Sequence, residues 1–366
     1  MKRFYPLLLA AVLFASCTPK YYLFVGTYTG NNIPSKGIHV YDFNSKTGTA
    51  KEITNAAAGN PSYLAISDNG KFVYSVNESK DGKISSFAFD KKAAQLTRLN
   101  SESNNGSAPC YVAIDKTGKW LFAGNYGSGD LTVHPINADG TIGAIKQLIK
   151  HSGSGPDKSR QQTPHVHCTY VSPDNKFLYV PDLGIDKVMI YPFNAATGTL
   201  DESRATFYKV DAGGGPRHIT FTRDGKFGYL VEEMSGAVVA LRRENDQLIK
   251  LQRENHLPAG EKGAGADIHL SPDGKFLYAS QRSNHTIQIF KVNKADGRFT
   301  FISSQSTLGN FPRNFSIDPT GNFLIVGNQN SNNSVIFRVN KNTGLLTATG
   351  NEISLGKPVC HVWLKK

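Results

Sequence analysis

Pro216-Arg-His-Ile-Thr-Phe-Thr-Arg-Asp-Gly-Lys-Phe-Gly-Tyr-Leu-Val231 is the stretch whose reading decides the fold. Two runs rich in β-branched and aromatic residues flank Arg223-Asp224-Gly225, where glycine supplies the positive φ that closes a short hairpin loop. The phrase recurs. Its copies are Gly70-Lys71-Phe72, Gly118-Lys119-Trp120, Asn175-Lys176-Phe177, Gly225-Lys226-Phe227, Gly274-Lys275-Phe276 and Gly321-Asn322-Phe323, spaced 47 to 57 residues apart. Asparagine replaces glycine once because it too tolerates the left-handed region. Each copy leads into a third strand, such as Lys83–Phe89 or Thr286–Val292, then a second turn and a fourth strand. The second turns read Asp139-Gly140, Thr197-Gly198, Asp296-Gly297 and Thr343-Gly344. A period near fifty residues with four strand patterns and no helical one predicts an all-β propeller, one blade per repeat.

The chain ends set the blade count. Leu23–Thr27 matches a second strand with no first strand before it, and Pro358–Leu364 matches a first strand with nothing after it. The C-terminal strand is therefore expected to close the first blade, giving a seven-bladed ring over residues 22–366 with no open edge.

The composition suits this ring: 39% hydrophobic and 10% aromatic residues, with 35 glycines serving turns. The formal net charge of +12 favours anionic ligands, but the lysines are spread one per turn. With no basic run and no nucleic-acid motif, nucleic acid is not expected as a partner. Residues 1–16 pair a basic start, Lys2-Arg3, with a short apolar stretch, and read as a signal peptide rather than a spanning helix. Leu13-Phe14-Ala15-Ser16-Cys17 resembles a bacterial lipobox, so Cys17 is the expected lipidation site and residues 17–21 a short tether. The protein is then exported, as a periplasmic or outer-membrane lipoprotein that meets the membrane only through its lipid, and is expected to be a monomer. Cys110, Cys168 and Cys360 fall in first strands and read as buried structural thiols. No Cys-x-x-Cys, Gly-x-Ser-x-Gly, His-Glu-x-x-His or phosphate-loop motif occurs, so neither metal nor cofactor is expected.

Antiparallel strands place all the Gly-Lys-aromatic turns on one rim. First-strand starts and second-strand ends then share the opposite rim. The starts supply His165, His167, Arg217, His218, His269 and Arg313, and the ends supply Glu78, Asn125, Asp182, Glu233, Arg282 and Asn328. Histidines, arginines and acids at one channel mouth suit an anionic small molecule undergoing proton transfer. Each has a plainer reading: inter-blade hydrogen bonds for the histidines, a repeated structural role for Arg217 and Arg313 in their matching Pro-Arg phrases.

Phe24-Val-Gly-Thr-Tyr-Thr29, Asn125-Tyr-Gly-Ser-Gly129, Arg160-Gln161, Pro164-His-Val-His167, Gly215-Pro-Arg-His218 and Pro312-Arg-Asn-Phe315, taken in order, resemble the lactonase family of seven-bladed propellers. That family includes cycloisomerase-2-type 6-phosphogluconolactonases and is related to carboxy-cis,cis-muconate cyclase. The resemblance implies metal-independent lactone chemistry with His165 or His167, Arg217, Glu233 and Arg282 as the catalytic set. Asn125, Gln161, Asp182, His218, His269 and Arg313 are expected to contact a small anionic lactone. Glu232 stands where the family usually has asparagine, which is expected to perturb Glu233 by like-charge repulsion. In the expected mechanism Arg217 and Arg282 hold the anionic group and the oxyanion, while a histidine and Glu233 move the proton. The alternatives are a lactonising cyclase or a non-enzymatic propeller that binds a glycan or protein.

Overall fold

The computed structural model describes residues 20–366. Residues 1–16 and the Cys17 lipidation site lie outside that range. Seven antiparallel sheets follow one another around a central channel. Pro358–Lys365 is the innermost strand of the sheet that also holds Lys20–Thr27, Gly37–Asn44 and Thr49–Ala57, with Val25 opposite His361. The C-terminal strand thus closes the first blade. The ring takes in Lys20 and Tyr21, which the sequence reading had left to the tether.

The turns behave as their residues dictate. Gly225 has φ +72° and Asn175 has φ +60°. The second turns add a contact between blades that sequence reading did not foresee. A Cβ on Gly198 would lie 2.3 Å from the Trp120 ring of the preceding blade. Gly140, Gly297, Gly344 and Gly48 face Phe72, Phe227, Phe276 and Phe323 in the same way. In these five blades the turn glycine is therefore flush against the aromatic residue that follows the hairpin turn of its neighbour. Local turn chemistry and blade-to-blade packing select the same residue. Between the sheets, mixed aliphatic and aromatic layers such as Phe24, Val40, Val73 and Phe87 fill the core.

At the channel the inner strands are irregular in a repeated manner. Pro216 pairs with Glu232 and His218 with Val231, so Arg217 is an extra, unpaired residue. The same insertion occurs at Arg313, between Pro312 and Asn314, and at Cys110, between Pro109 and Tyr111. A bulge redirects its side chain and ends regular pairing. Here it aims that side chain into the channel mouth. The bulge is the structural repeat, and the residue placed on it varies.

Candidate active site

The mouth is organised around one carboxylate. Glu233 follows the second strand of the fifth blade, Phe227–Glu232, and is buried. Its Oε2 accepts from Arg217 Nε at 3.0 Å and lies 2.9 Å from Arg282 Nη2, and its Oε1 accepts from Arg160 Nη2 at 2.6 Å. Burial alone would push this carboxyl up, but Arg282, Arg217 and Arg160 override it and hold it well below the usual carboxylate range. Glu232 does not interfere. Its side chain turns away to Ser235 and Arg253, so the expected like-charge perturbation is absent.

Arg217 is the most enclosed member. Its side chain is 2% exposed, Nη1 donates to the Ala266 carbonyl and lies 3.3 Å from His218 Nε2. It cannot reach a ligand in this arrangement, contrary to the expectation that it grips the substrate. Arg282 donates to the carbonyls of Ala264 and Gly265 and lies over the Phe311 ring, and burial lowers it to about 10. Arg160, which the sequence reading left outside the site, bridges Glu233 and the Tyr126 hydroxyl and is 43% exposed. Only its place inside the Arg160-Gln161 phrase pointed to it.

Arg313 differs from the other three arginines. It is 16% exposed, lies over the Tyr28 ring and approaches Glu78 at 3.8 Å, beyond hydrogen-bond distance. Its guanidinium donates to no acceptor among the described residues, although Tyr28 donates its own hydroxyl to Glu78 at 2.8 Å.

The two histidines of Pro164-His-Val-His167 are now distinguishable. His167 is buried, with Nε2 4.0 Å from Glu233 Oε2 and Nδ1 3.7 Å from the Cys110 thiol. Burial, reinforced by Arg217, pushes it well below the usual histidine range. His165 stacks on Tyr126, and its Nδ1 lies 2.8 Å from the Tyr126 carbonyl. A carbonyl only accepts, so Nδ1 carries a proton, and in the neutral ring Nε2 is the acceptor.

Several expected substrate contacts instead lie one layer beneath. Asn125 bonds to Asn104 and Asp130. Gln161 ties its loop to the Leu183 carbonyl and Asp186. Asp182 accepts from His165 N, Gly184 N and His151. All three are fully buried and satisfied by the protein, and they hold the segments that carry Tyr126, Arg160 and His165. His269 is not at this mouth. It is the fifth residue of Gly265–Leu270, past Asp267, and lines a cavity of about 510 Å³ toward the other rim with Tyr63, Tyr111 and Trp363. Its strand starts four residues earlier than the sequence reading placed it. His218 lies between the two ends, bonded to Asp267.

Cys110, Cys168 and Cys360 are buried and form no disulfide among the described residues, and burial raises the Cys168 thiol to about 12. Among the described residues no three His, Cys, Asp or Glu side chains converge as a metal-binding group. No helix among them is long and apolar enough to cross a membrane.

Residues 22–363 match the family model described as "Lactonase, 7-bladed beta-propeller". A 6-phosphogluconolactonase of Formosa agariphila is 40% identical over 304 residues, covering 81% of this chain and 86% of the relative. A Bacillus subtilis protein of the same name is 34% identical over 82% of this chain and 85% of its own. Among solved structures, a candidate 6-phosphogluconolactonase from Bacteroides fragilis is 41% identical with TM-score 0.90, covering 96% and 99% of the two chains. The periplasmic gluconolactonase of Pseudomonas aeruginosa is 33% identical with TM-score 0.89, covering 94% and 99%. The chain belongs to the lactonase family of seven-bladed β-propellers.

Proposed function

We propose that the protein hydrolyses the ester of a sugar-acid-type lactone, with His165 as the general base. The observation that carries this reading is the 2.8 Å contact from His165 Nδ1 to the Tyr126 carbonyl beside an arginine-rich mouth, which leaves Nε2 of the neutral ring as the proton acceptor. Glu233 suits the base role poorly, because three guanidinium groups make its carboxylate a weak proton acceptor. Its role is to gather the arginines. In the step, water attacks the lactone carbonyl while His165 Nε2 takes its proton. Arg160 and the unbonded Nη1 of Arg282 stabilise the oxyanion. Collapse breaks the ring C–O bond, and the departing alkoxide recovers the proton from the imidazolium. The product is the hydroxy acid.

Four arginines face two carboxylates, Glu233 and Glu78, so the mouth carries a positive surplus that favours an anionic substrate. Arg313, with no hydrogen-bond acceptor among the described residues, is the anchor for the acidic group. The names of the relatives support lactone hydrolysis. The periplasmic gluconolactonase supports an extracytoplasmic setting for that lactone. We also assign Cys17 as a lipid attachment site on its lipobox-like context. Fatty-acid labelling that persists in a Cys17→Ser protein would remove that assignment.

A pH-stat assay of the mature protein against free and phosphorylated gluconolactones tests the main reading. Acid release above the spontaneous rate is expected, falling on the order of a hundredfold or more in His165→Gln. Release that is undiminished in His165→Gln would exclude this base, and no release from any lactone would exclude the hydrolase reading.

A further inference from the structure

Beneath the mouth, a polar chain runs down the channel from the buried Arg217. His218 is enclosed by the rings of Tyr63, Tyr111 and His167. Its Nδ1 lies 2.8 Å from Asp267 Oδ1, and its Nε2 lies 3.3 Å from Arg217 Nη1. An arginine N–H can only donate, so Nε2 must be the acceptor and the ring proton must sit on Nδ1, directed at Asp267. Asp267 is buried and fully engaged. Its Oδ1 also accepts from Ile268 N at 3.0 Å, and its Oδ2 accepts from His269 Nε2 at 3.0 Å and Asn314 Nδ2 at 2.5 Å.

We propose that Asp267 is a positioning residue for the active site: by fixing the tautomer of His218 it makes Nε2 an acceptor that holds Arg217 in place to orient Glu233. Arg217 is already committed on two of its nitrogens. Its Nε is on Glu233 and its Nη1 is divided between the Ala266 carbonyl and His218. The opposite tautomer would set an N–H against the Nη1 N–H at 3.3 Å, and two facing donors in a dry site repel. Arg217 would then shift and carry Glu233 with it, displacing Arg282 and Arg160, which share that carboxylate. The same logic orders other buried histidines, whose second nitrogen is set by the partner on the first. Burial and Arg217 together lower His218 to about 4, so the ring stays neutral through the physiological range and the acceptor is always present. His269 neutralises Asp267 from the far side and is itself raised by that carboxylate.

This inference rests on the proposed lactonase reading for its kinetic test but not for its spectroscopic one. Histidine-labelled mature protein, with His218 assigned by the signals lost in His218→Phe, reports the tautomer by long-range proton–nitrogen correlation. Wild-type protein is expected to show a protonated Nδ1 and a bare Nε2 between pH 5 and 8. A protonated Nε2 would overturn the proposal whatever the enzyme does. Kinetically, Asp267→Ala, which removes the acceptor from His218 Nδ1, is expected to lower kcat by about tenfold or more with KM nearly unchanged, and to let the His218 proton populate Nε2. In a His218→Phe background the same substitution should have no further effect on kcat. Equal losses in both backgrounds would mean that Asp267 acts only on the fold. If no lactone is turned over at all, the proposed function fails while the tautomer measurement still decides this inference.

Discussion

Replacing Glu233 with glutamine is the sharpest perturbation of the mouth. The substitution keeps the shape and removes the one anion bound by Arg217, Arg282 and Arg160 at 3.0, 2.9 and 2.6 Å. At an effective dielectric near 20, each unit-charge attraction at a separation of about 4 Å is worth about 4 kcal/mol. Desolvation and repulsion among the guanidinium groups cancel much of that sum. What remains is the penalty of leaving buried charge uncompensated, about 3–5 kcal/mol. Arg217, 2% exposed, has no access to water that would soften it. Urea unfolding should therefore show Glu233→Gln less stable by about 3–5 kcal/mol at unchanged slope. Arg160→Ala is the contrast: its side chain is 43% exposed, and its loss should cost no more than about 1 kcal/mol. The glutamine variant should also gain an anion site. Phosphate or sulfate should raise its midpoint more than that of the wild type, because the emptied cluster offers charge-assisted donors. A Glu233→Gln protein within about 1 kcal/mol of wild type, with no added response to anions, would refute the view that this carboxylate counterbalances the arginines.

Three further outcomes follow from other parts of the ring. Arg313→Ala should raise KM for an acidic lactone at least tenfold while leaving kcat for a neutral one little changed, and equal effects on both substrates would remove the anchor role. Gly198→Ala combines φ +69° with a Cβ placed 2.3 Å from Trp120, whose indole is held by a 2.9 Å bond to the Ala195 carbonyl. Strain plus overpacking should cost about 2–3 kcal/mol, and a neutral result in thermal unfolding would show that the turn shifts freely. Acidification should destabilise the protein before its carboxylates titrate. An unfolded histidine takes up its proton near 6.5, whereas folded His218 resists until about 4, so the unfolded state binds more protons in that window. Stability is thus lost as pH falls from about 6.5 to 4, by about 3 kcal/mol from His218, and the depressed His167 and His361 act in the same direction. His269, which is raised, contributes fully below about 6.5 and so does not mask this loss. Flat stability across that range would contradict the neutral, buried assignment of His218.

The architecture was legible because its determinants are local and repeated. A turn glycine, a lysine and an aromatic residue recur in six blades with two asparagine replacements, and the unmatched strands at Leu23 and Pro358 give the closure directly. The contact between Gly198 and Trp120 was not legible, although both residues had been singled out. Their pairing is between successive repeats, and periodicity within a repeat does not reveal it.

The site was legible as a set of residue types on one rim but not as a division of labour. Sequence reading placed Arg217 and Arg313 at equivalent positions of matching Pro-Arg phrases, with Arg217 in the catalytic set and Arg313 as a substrate contact. The bulge keeps that equivalence in the backbone, since both are the inserted residue after a proline. What separates them is the set of groups around each side chain, drawn from its own blade as well as the neighbouring one. Beside Arg217 stand Glu233, the Ala266 carbonyl and His218, which bury and satisfy it, whereas beside Arg313 stand the Tyr28 face and a Glu78 already bonded to the Tyr28 hydroxyl. One arginine thereby becomes part of the scaffold and the other faces the mouth with its donors unused. The same reasoning explains why Arg160 escaped notice, since it comes from a loop between blades rather than from a strand position. A rim assignment finds residues that strands deliver, and a loop anchored by Gln161 to Asp186 can deliver a guanidinium to the same carboxylate without any repeat to announce it.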